Sequence, residues 1–215
     1  AQQQHEVWGL RRSDKPVGTG VTTISANVAD METLIGTIPE NLDYLVYSVA
    51  SPVFSEDGYE KFYVQGLKHI LALLKQMHSV PKRIFFVSST SVYNEHDGSW
   101  VDETTPVDPS AFAGKKMYEA EKLLHASDFS HTVVRFSGIY GPGRTRLINQ
   151  AKGGSHCDPE PDIWTNRIHR DDCINTLAFL IEQDQKGATL DDLYLASDPN
   201  PAPLFDVLEW LKDRI

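Results

Sequence analysis

The 215-residue sequence is poor in cysteine: Cys157 and Cys173 stand alone, in no CxxC spacing. That excludes a disulfide framework and predicts a protein of a reducing, cytoplasmic compartment. Its eight histidines form no HExxH or comparable spacing, so no metal is expected. No apolar run approaches the ~20 residues of a membrane helix, which excludes a helical membrane span. Basic residues are also in deficit, with 20 Lys and Arg against 30 Asp and Glu, a net charge of −10. A nucleic-acid binder or a reader of acidic membrane surfaces needs a basic face, so both are excluded as general functions. Internal repeats and low-complexity tracts are lacking too.

What remains is 40% hydrophobic and 23% charged, the composition of a globular domain. Short β-rich runs at 5–10, 21–25, 43–49, 83–88, 131–136 and 192–196 alternate with helical patterns. The helical patterns lie near 30–36, 59–77, 110–126, 170–183 and 203–215. Strands of four to seven residues separated by longer helices predict βαβ units, hence an α/β fold with a doubly wound parallel sheet. The runs at 42–47 and 83–87 are almost continuously apolar, as central strands covered on both faces must be. From about Gly138 the pattern loosens, with turns at Gly141-Pro142-Gly143 and Pro199-Asn200-Pro201.

One expected signature is missing. The first βα turn of such a sheet carries a phosphate-cradling G-x-G-x-x-G, and this sequence has none. Gly18-Thr19-Gly20 is a lone pair with no helix after it, and it reads as a turn between strands. The expectation is that a first strand, glycine loop and helix precede Ala1. The strand at 6–10 should then lack its central neighbour within these residues.

Five segments fall in one order. Val87-Ser88-Ser89-Thr90-Ser91-Val92-Tyr93 ends an apolar strand, and Asp102-Glu103-Thr104-Thr105-Pro106 follows. Then come a helix with Ala120-Glu121-Lys122-Leu123-Leu124, the run Arg135–Gly143, and Asn166-Arg167-Ile168-His169-Arg170-Asp171-Asp172. Together these resemble the extended short-chain dehydrogenase/reductases, the NAD(P)-dependent epimerase/dehydratase family. The resemblance implies a single Rossmann-like NAD(P)-binding domain over 1–215, with a smaller substrate-binding portion near 138–170 and 197–215. It also implies an oxidoreductase acting on a nucleotide sugar or another small hydroxyl substrate. The alternative is a non-catalytic NADP(H)-binding sensor or regulatory scaffold of the same fold. A homodimer through the helices near 59–77 and 110–126 is a further implication.

By the same resemblance Ser89 aligns with the serine that orients the substrate oxygen, and Ser91 is the next hydroxyl in reach. Family members add a Tyr and a Lys in Y-x-x-x-K, the lysine lowering the pKa of the phenol for acid–base work. Two registers are open. Tyr118 and Lys122 match the motif literally. Yet the family carries its Ala-Glu-x-Leu-Leu stretch roughly two helical turns after the tyrosine, which places Ala113 and Met117 at the two positions instead. The literal match is then rotated by ~140° about the helix axis. This second register is favoured, and it describes an atypical branch that has lost the usual tyrosine.

Arg11, Arg12 and Ser13 close the second strand of the family pattern, where an acid would read a free ribose. A guanidinium there suits a 2′-phosphate, so NADP is favoured over NAD. Asp30, after the next strand, is placed for the adenine amino group or as a helix N-cap. Ser48, Val49 and Ala50 end the following strand, small enough for close approach of the cofactor. Arg167 suits a substrate phosphate, and Asp171 and Asp172 suit the positive end of the helix they open.

Overall fold

The computed structural model describes residues 5–95, 98–154, 158–160 and 162–215; Ala1, His156 and Cys157 lie outside them. Seven α-helices and ten strands follow one another along these residues. In chain order they run β1 (Trp8–Arg11), β2 (Thr22–Ser25), α1 (Met31–Leu34), β3 (Tyr44–Tyr47), α2 (Glu56–Tyr59), α3 (Gly66–Gln76), β4 (Arg83–Ser89) and α4 (Phe112–His125). Then come β5 (His131–Phe136), β6 (Gly138–Tyr140), α5 (Arg146–Lys152), β7 (Trp164–Thr165), β8 (Arg167–His169), α6 (Arg170–Gln185), β9 (Leu193–Ala196), β10 (Ala202–Pro203) and α7 (Leu204–Lys212).

The alternation of strand side chains decides the layers. Along β4, Ile84 and Phe86 point to one face, where they join Leu67, Leu74, Met117, Ala120 and Leu124 of α3 and α4. Phe85 points the other way, to Val134, Phe136, Cys173 and Leu180 under α6. Ile84, Phe85 and Phe86 are all 0% exposed, so β4 is covered on both faces, as its unbroken apolar run predicts. Burial pushes the Cys173 thiol up to about 11, which leaves it an inert core residue. At the other end of the sheet, Asp184 of α6 accepts from Tyr44 Oη and Arg83 Nε, both at 2.8 Å, and ties the helix to β3 and β4.

Strands β3, β4, β5 and β9 form a parallel four-stranded sheet, while β1 and β2 form a separate parallel pair. Among the described residues β1 is hydrogen-bonded only to β2, and β3 only to β4. Among the described residues the ladder is therefore interrupted between the β1–β2 pair and β3. Val46, in mid-β3, is 41% exposed. Both parts still share one core, because Ala26 and Val28 after β2 pack in the cluster that holds Tyr47.

Two smaller ladders, β6 with β8 and β7 with β10, build the region after β5. The pattern near 59–77 predicts one helix, but the structure divides it. A π-helical turn, Glu60–Gln65, separates α2 from α3. Tyr47 Oη donates to the Phe62 carbonyl in that turn at 2.6 Å. Gly66 follows at once, since any side chain there would collide with the Tyr47 hydroxyl. Helix α1 stops at Leu34, short of the expected 36, and Asp30 caps its start by accepting from Glu32 N at 3.1 Å. No helix among the described residues is long and apolar enough to cross a membrane.

Candidate functional site

Parallel strands put all their carboxyl ends on one edge, and a cavity of about 1370 Å³ opens there. Ser48, Val49 and Ala50 after β3 line it, as do Ser88, Ser89 and Ser91 at the end of β4 and Ser137 after β5. The region after β5 supplies the facing wall, including Arg144, Arg146, Arg167 and Trp210. Two loop contacts shape that wall. Arg170 Nη1 donates to the Pro142 carbonyl at 2.9 Å, and Gly141, at φ 123°, lies where a side chain would collide with the His169 ring. His169 accepts from Asp171 N and so caps α6 itself, while Asp171 and Asp172 occupy the first turn, where carboxylates favour the helix dipole.

Of the predicted site residues, the structure brings six to the cavity: Ser48, Val49, Ala50, Ser89, Ser91 and Arg167. Ser89 Oγ accepts from Ser91 N at 3.1 Å, capping the short 3-10 turn Thr90–Val92. Gly114 permits this placement, because a Cβ there would strike the Ser91 carbonyl and hold α4 away from the strand end. Arg11, Arg12, Ser13 and Asp30 do not line the cavity. Arg11 Nη1 folds back onto the carbonyls of Lys15 and Pro16, at 3.3 Å each, and the Arg12 guanidinium lies 5.4 Å from the centroid of the Phe62 ring.

Helix α4 presents Met117 to the cavity, with Ala113 one turn before it, both buried. Tyr118 and Lys122 lie off the cavity. Tyr118 packs half-buried against the α3–α4 core, and the exposed Lys122 sets its ammonium 4.8 Å from the centroid of the Tyr118 ring. The literal motif is thus an i, i+4 pair on another face of the helix.

Sequence reasoning missed two features. Tyr59 and Tyr63 line the cavity, their ring centroids 4.9 Å apart. Burial raises the pKa of both, so they stay protonated near neutral pH and serve as donors rather than bases. The second feature is a buried polar chain beneath the serines. Ser88 Oγ donates to Glu121 Oε1 at 2.5 Å. Glu121 takes two bonds from Arg135, and Arg135 Nη1 donates to Tyr93 Oη at 2.9 Å. Tyr93 Oη in turn donates to the Asp102 carbonyl at 2.8 Å. Burial, the largest single influence, would lower the Arg135 pKa, but the hydrogen bonds and charge of Glu121 together with the Tyr93 contact outweigh it and hold the group above its ordinary value. The one available signal was a Glu on an apolar helix face and an Arg inside a strand, both in need of a buried partner.

A parallel sheet with helices on both faces and a cavity at its carboxyl edge defines the dinucleotide-binding class of α/β proteins. Residues 1–192 match the sequence profile of the NAD dependent epimerase/dehydratase family, and the chain belongs to that family. A Methylobacillus flagellatus protein, provisionally named an NAD-dependent epimerase/dehydratase, is 44% identical with a TM-score of 0.83. That likeness covers 99% of this chain and 74% of the other. Protein YeeZ of Escherichia coli K12 is 32% identical over 131 residues, 60% of this chain and 45% of YeeZ. The chain thus matches less than half the length of that curated relative. MoeE5, solved with UDP-glucose and NAD, is 18% identical at a TM-score of 0.74, covering 99% of this chain and 74% of its own, a likeness of fold alone.

Proposed function

We propose that the cavity binds a nucleotide sugar or another small hydroxyl compound beside a nicotinamide cofactor, in an oxidoreductase of the epimerase/dehydratase type. The observation that carries this reading is the meeting of small cofactor-side residues (Ser48, Val49 and Ala50), hydroxyls (Ser89 and Ser91) and three arginines in one cavity. Ser48 and Ala50 offer the cofactor close approach without bulk. Arg11, Arg12 and Ser13 lie off the cavity lining and next to Asp14, and their two guanidinium groups support NADP over NAD. When bound, the nicotinamide supplies hydride acceptance or donation at a carbinol carbon.

This chain's own residues position the substrate. Ser89 orients the carbinol oxygen, and Arg144, Arg146 and Arg167 hold the anionic part of the substrate through charge-assisted bonds. Arg167 is already steadied, donating to Thr165 Oγ1 at 2.7 Å. The portion at 138–170 and 197–215 is read as the substrate-binding part, and α3 and α4 as the faces of a homodimer. That MoeE5 binds UDP-glucose and NAD, as does WbmG of Bordetella bronchiseptica NAD and UDP, supports the substrate class by fold.

One observation favours a second reading. Helix α4 lines the cavity with Met117, and Ala113 lies one turn before it; neither side chain has an ionisable proton. A protein that binds NADP(H) and does no chemistry needs none there. Turnover of a panel of nucleotide sugars with NADP and NAD, followed by chromatography of the sugar products as well as by the reduced nicotinamide absorbance, tests the first reading. Cofactor binding without turnover of any member selects the second.

A further inference from the structure

We propose that His125, His131 and Asp192 form a binding site for a divalent transition metal of the zinc type. The site lies at the amino end of β5, whereas the cavity lies beyond its carboxyl end. Three elements supply one ligand each. His125 is the last residue of α4, His131 is the first of β5, and Asp192 directly precedes β9. Their ligand atoms all lie within 4.8 Å of one another.

The geometry at His131 points to a ligand rather than to chance proximity. Its Nδ1 is 3.0 Å from the Phe129 carbonyl oxygen, so that nitrogen carries the proton and donates it. Its Nε2 is therefore an unprotonated lone pair, 3.1 Å from His125 Nδ1. At 8% exposure the His131 ring has little access to water, and the carbonyl holds its orientation. Imidazoles that ligate metals characteristically donate their other N–H to a carbonyl or carboxylate, and His131 does so here. The two rings meet at 84°, edge to face, with their nitrogens converging rather than stacked.

Distances and donor types select the metal. Two tetrahedral ligands at about 2.0–2.1 Å from zinc lie roughly 3.3 Å apart, close to the 3.1 Å between the histidine nitrogens. His125 and Asp192 are exposed, free to close the remaining distance, with water as the fourth ligand. Two imidazoles and one carboxylate suit zinc, cobalt or nickel, whereas magnesium and calcium prefer all-oxygen sets. A bound ion would clamp the end of α4 to the starts of β5 and β9. The linear motif is absent because the third ligand comes from a distant strand.

The test uses the full chain, untagged and stripped with chelator, titrated with Co²⁺ and followed by its visible absorption. Saturation at one ion per chain with a ligand-field band is expected, and Zn²⁺ should raise the melting temperature. His125→Ala and Asp192→Asn replace exposed ligands and should each weaken binding at least tenfold. Both should remove the zinc-induced shift, and Asp192→Asn should do so while leaving the metal-free melting temperature in place. Absence of saturable binding overturns the proposal. So does equal affinity in the parent and His125→Ala proteins, because the metal then sits on other histidines.

Discussion

Glu121 of α4 and Arg135 of β5 face each other through two hydrogen bonds, Nε to Oε1 at 3.1 Å and Nη2 to Oε2 at 2.6 Å, with both residues at most 5% exposed. Two charges taken from water hold each other, and Ser88 and Tyr93 satisfy further positions. Removing one partner leaves the other buried and unpaired. Glu121→Ala should cost about 3–5 kcal/mol, read from urea denaturation. The double change Glu121→Leu with Arg135→Met should cost much less, because no orphan charge remains. A single change as mild as the double would mean water already reaches the pair.

Acid should weaken a second, less buried contact. Hydrogen bonds from Lys116 and then from Gln65 hold the Glu60 carboxyl below its usual pKa, with Lys116 Nζ at 2.8 Å. A depressed folded pKa means the stabilisation is complete above the unfolded value of ~4.3 and fades as pH falls through the folded value. Glu60→Gln should therefore lower stability by about 1 kcal/mol at pH 7 and by progressively less below pH 4. Urea midpoints of both proteins between pH 3 and pH 7 measure this, and a difference independent of pH would place the effect elsewhere.

Cofactor choice should depend on the two arginines at the end of β1, Arg11 and Arg12. A charge-assisted contact to a 2′-phosphate is worth about 1.5–3 kcal/mol, a preference for NADP(H) of roughly ten- to a hundredfold. Replacing Arg11 and Arg12 together by Ala should erase that preference and leave NAD(H) affinity nearly unchanged. Rising salt should narrow the gap in the parent protein. Calorimetric titration reads both, and equal affinities in the parent protein would return the assignment to NAD.

At the cavity, two hydroxyl deletions should part company. Ser89→Ala should lower kcat by about a hundredfold, the effect of losing one donor to a developing oxyanion. Tyr118→Phe should leave kcat within about twofold, because its ring packs on the core face of α4. A large loss in Tyr118→Phe would restore the literal Y-x-x-x-K register.

The layer structure was legible where the physics is local. The apolar run ending at Val87 could only be a strand covered on both faces, and the length and spacing of 110–126 could only be a helix. The wide turn at Glu60–Gln65 was not legible, since it depends on Tyr47 and Gly66 meeting across two elements. The Glu121–Arg135 pair was hidden for a similar reason. Its contact follows from the register that sets Ser88 beside Arg135, which only the folded sheet fixes. Ser89 was singled out by the family resemblance of its segment, and the structure sets it on the cavity lining. The wall with Arg144 and Arg146 escaped notice because it is built by loops whose partners are remote.

Hydrogen-bonded ladders resist sliding, whereas side-chain packing lets neighbours shift. Ser89 ends β4, which is bonded to β3 on one side and to β5 on the other. That strand cannot slide without breaking two ladders at once. The hydroxyl proposed to orient the substrate therefore keeps a fixed height at the rim of the cavity, whatever its neighbours on the facing wall do.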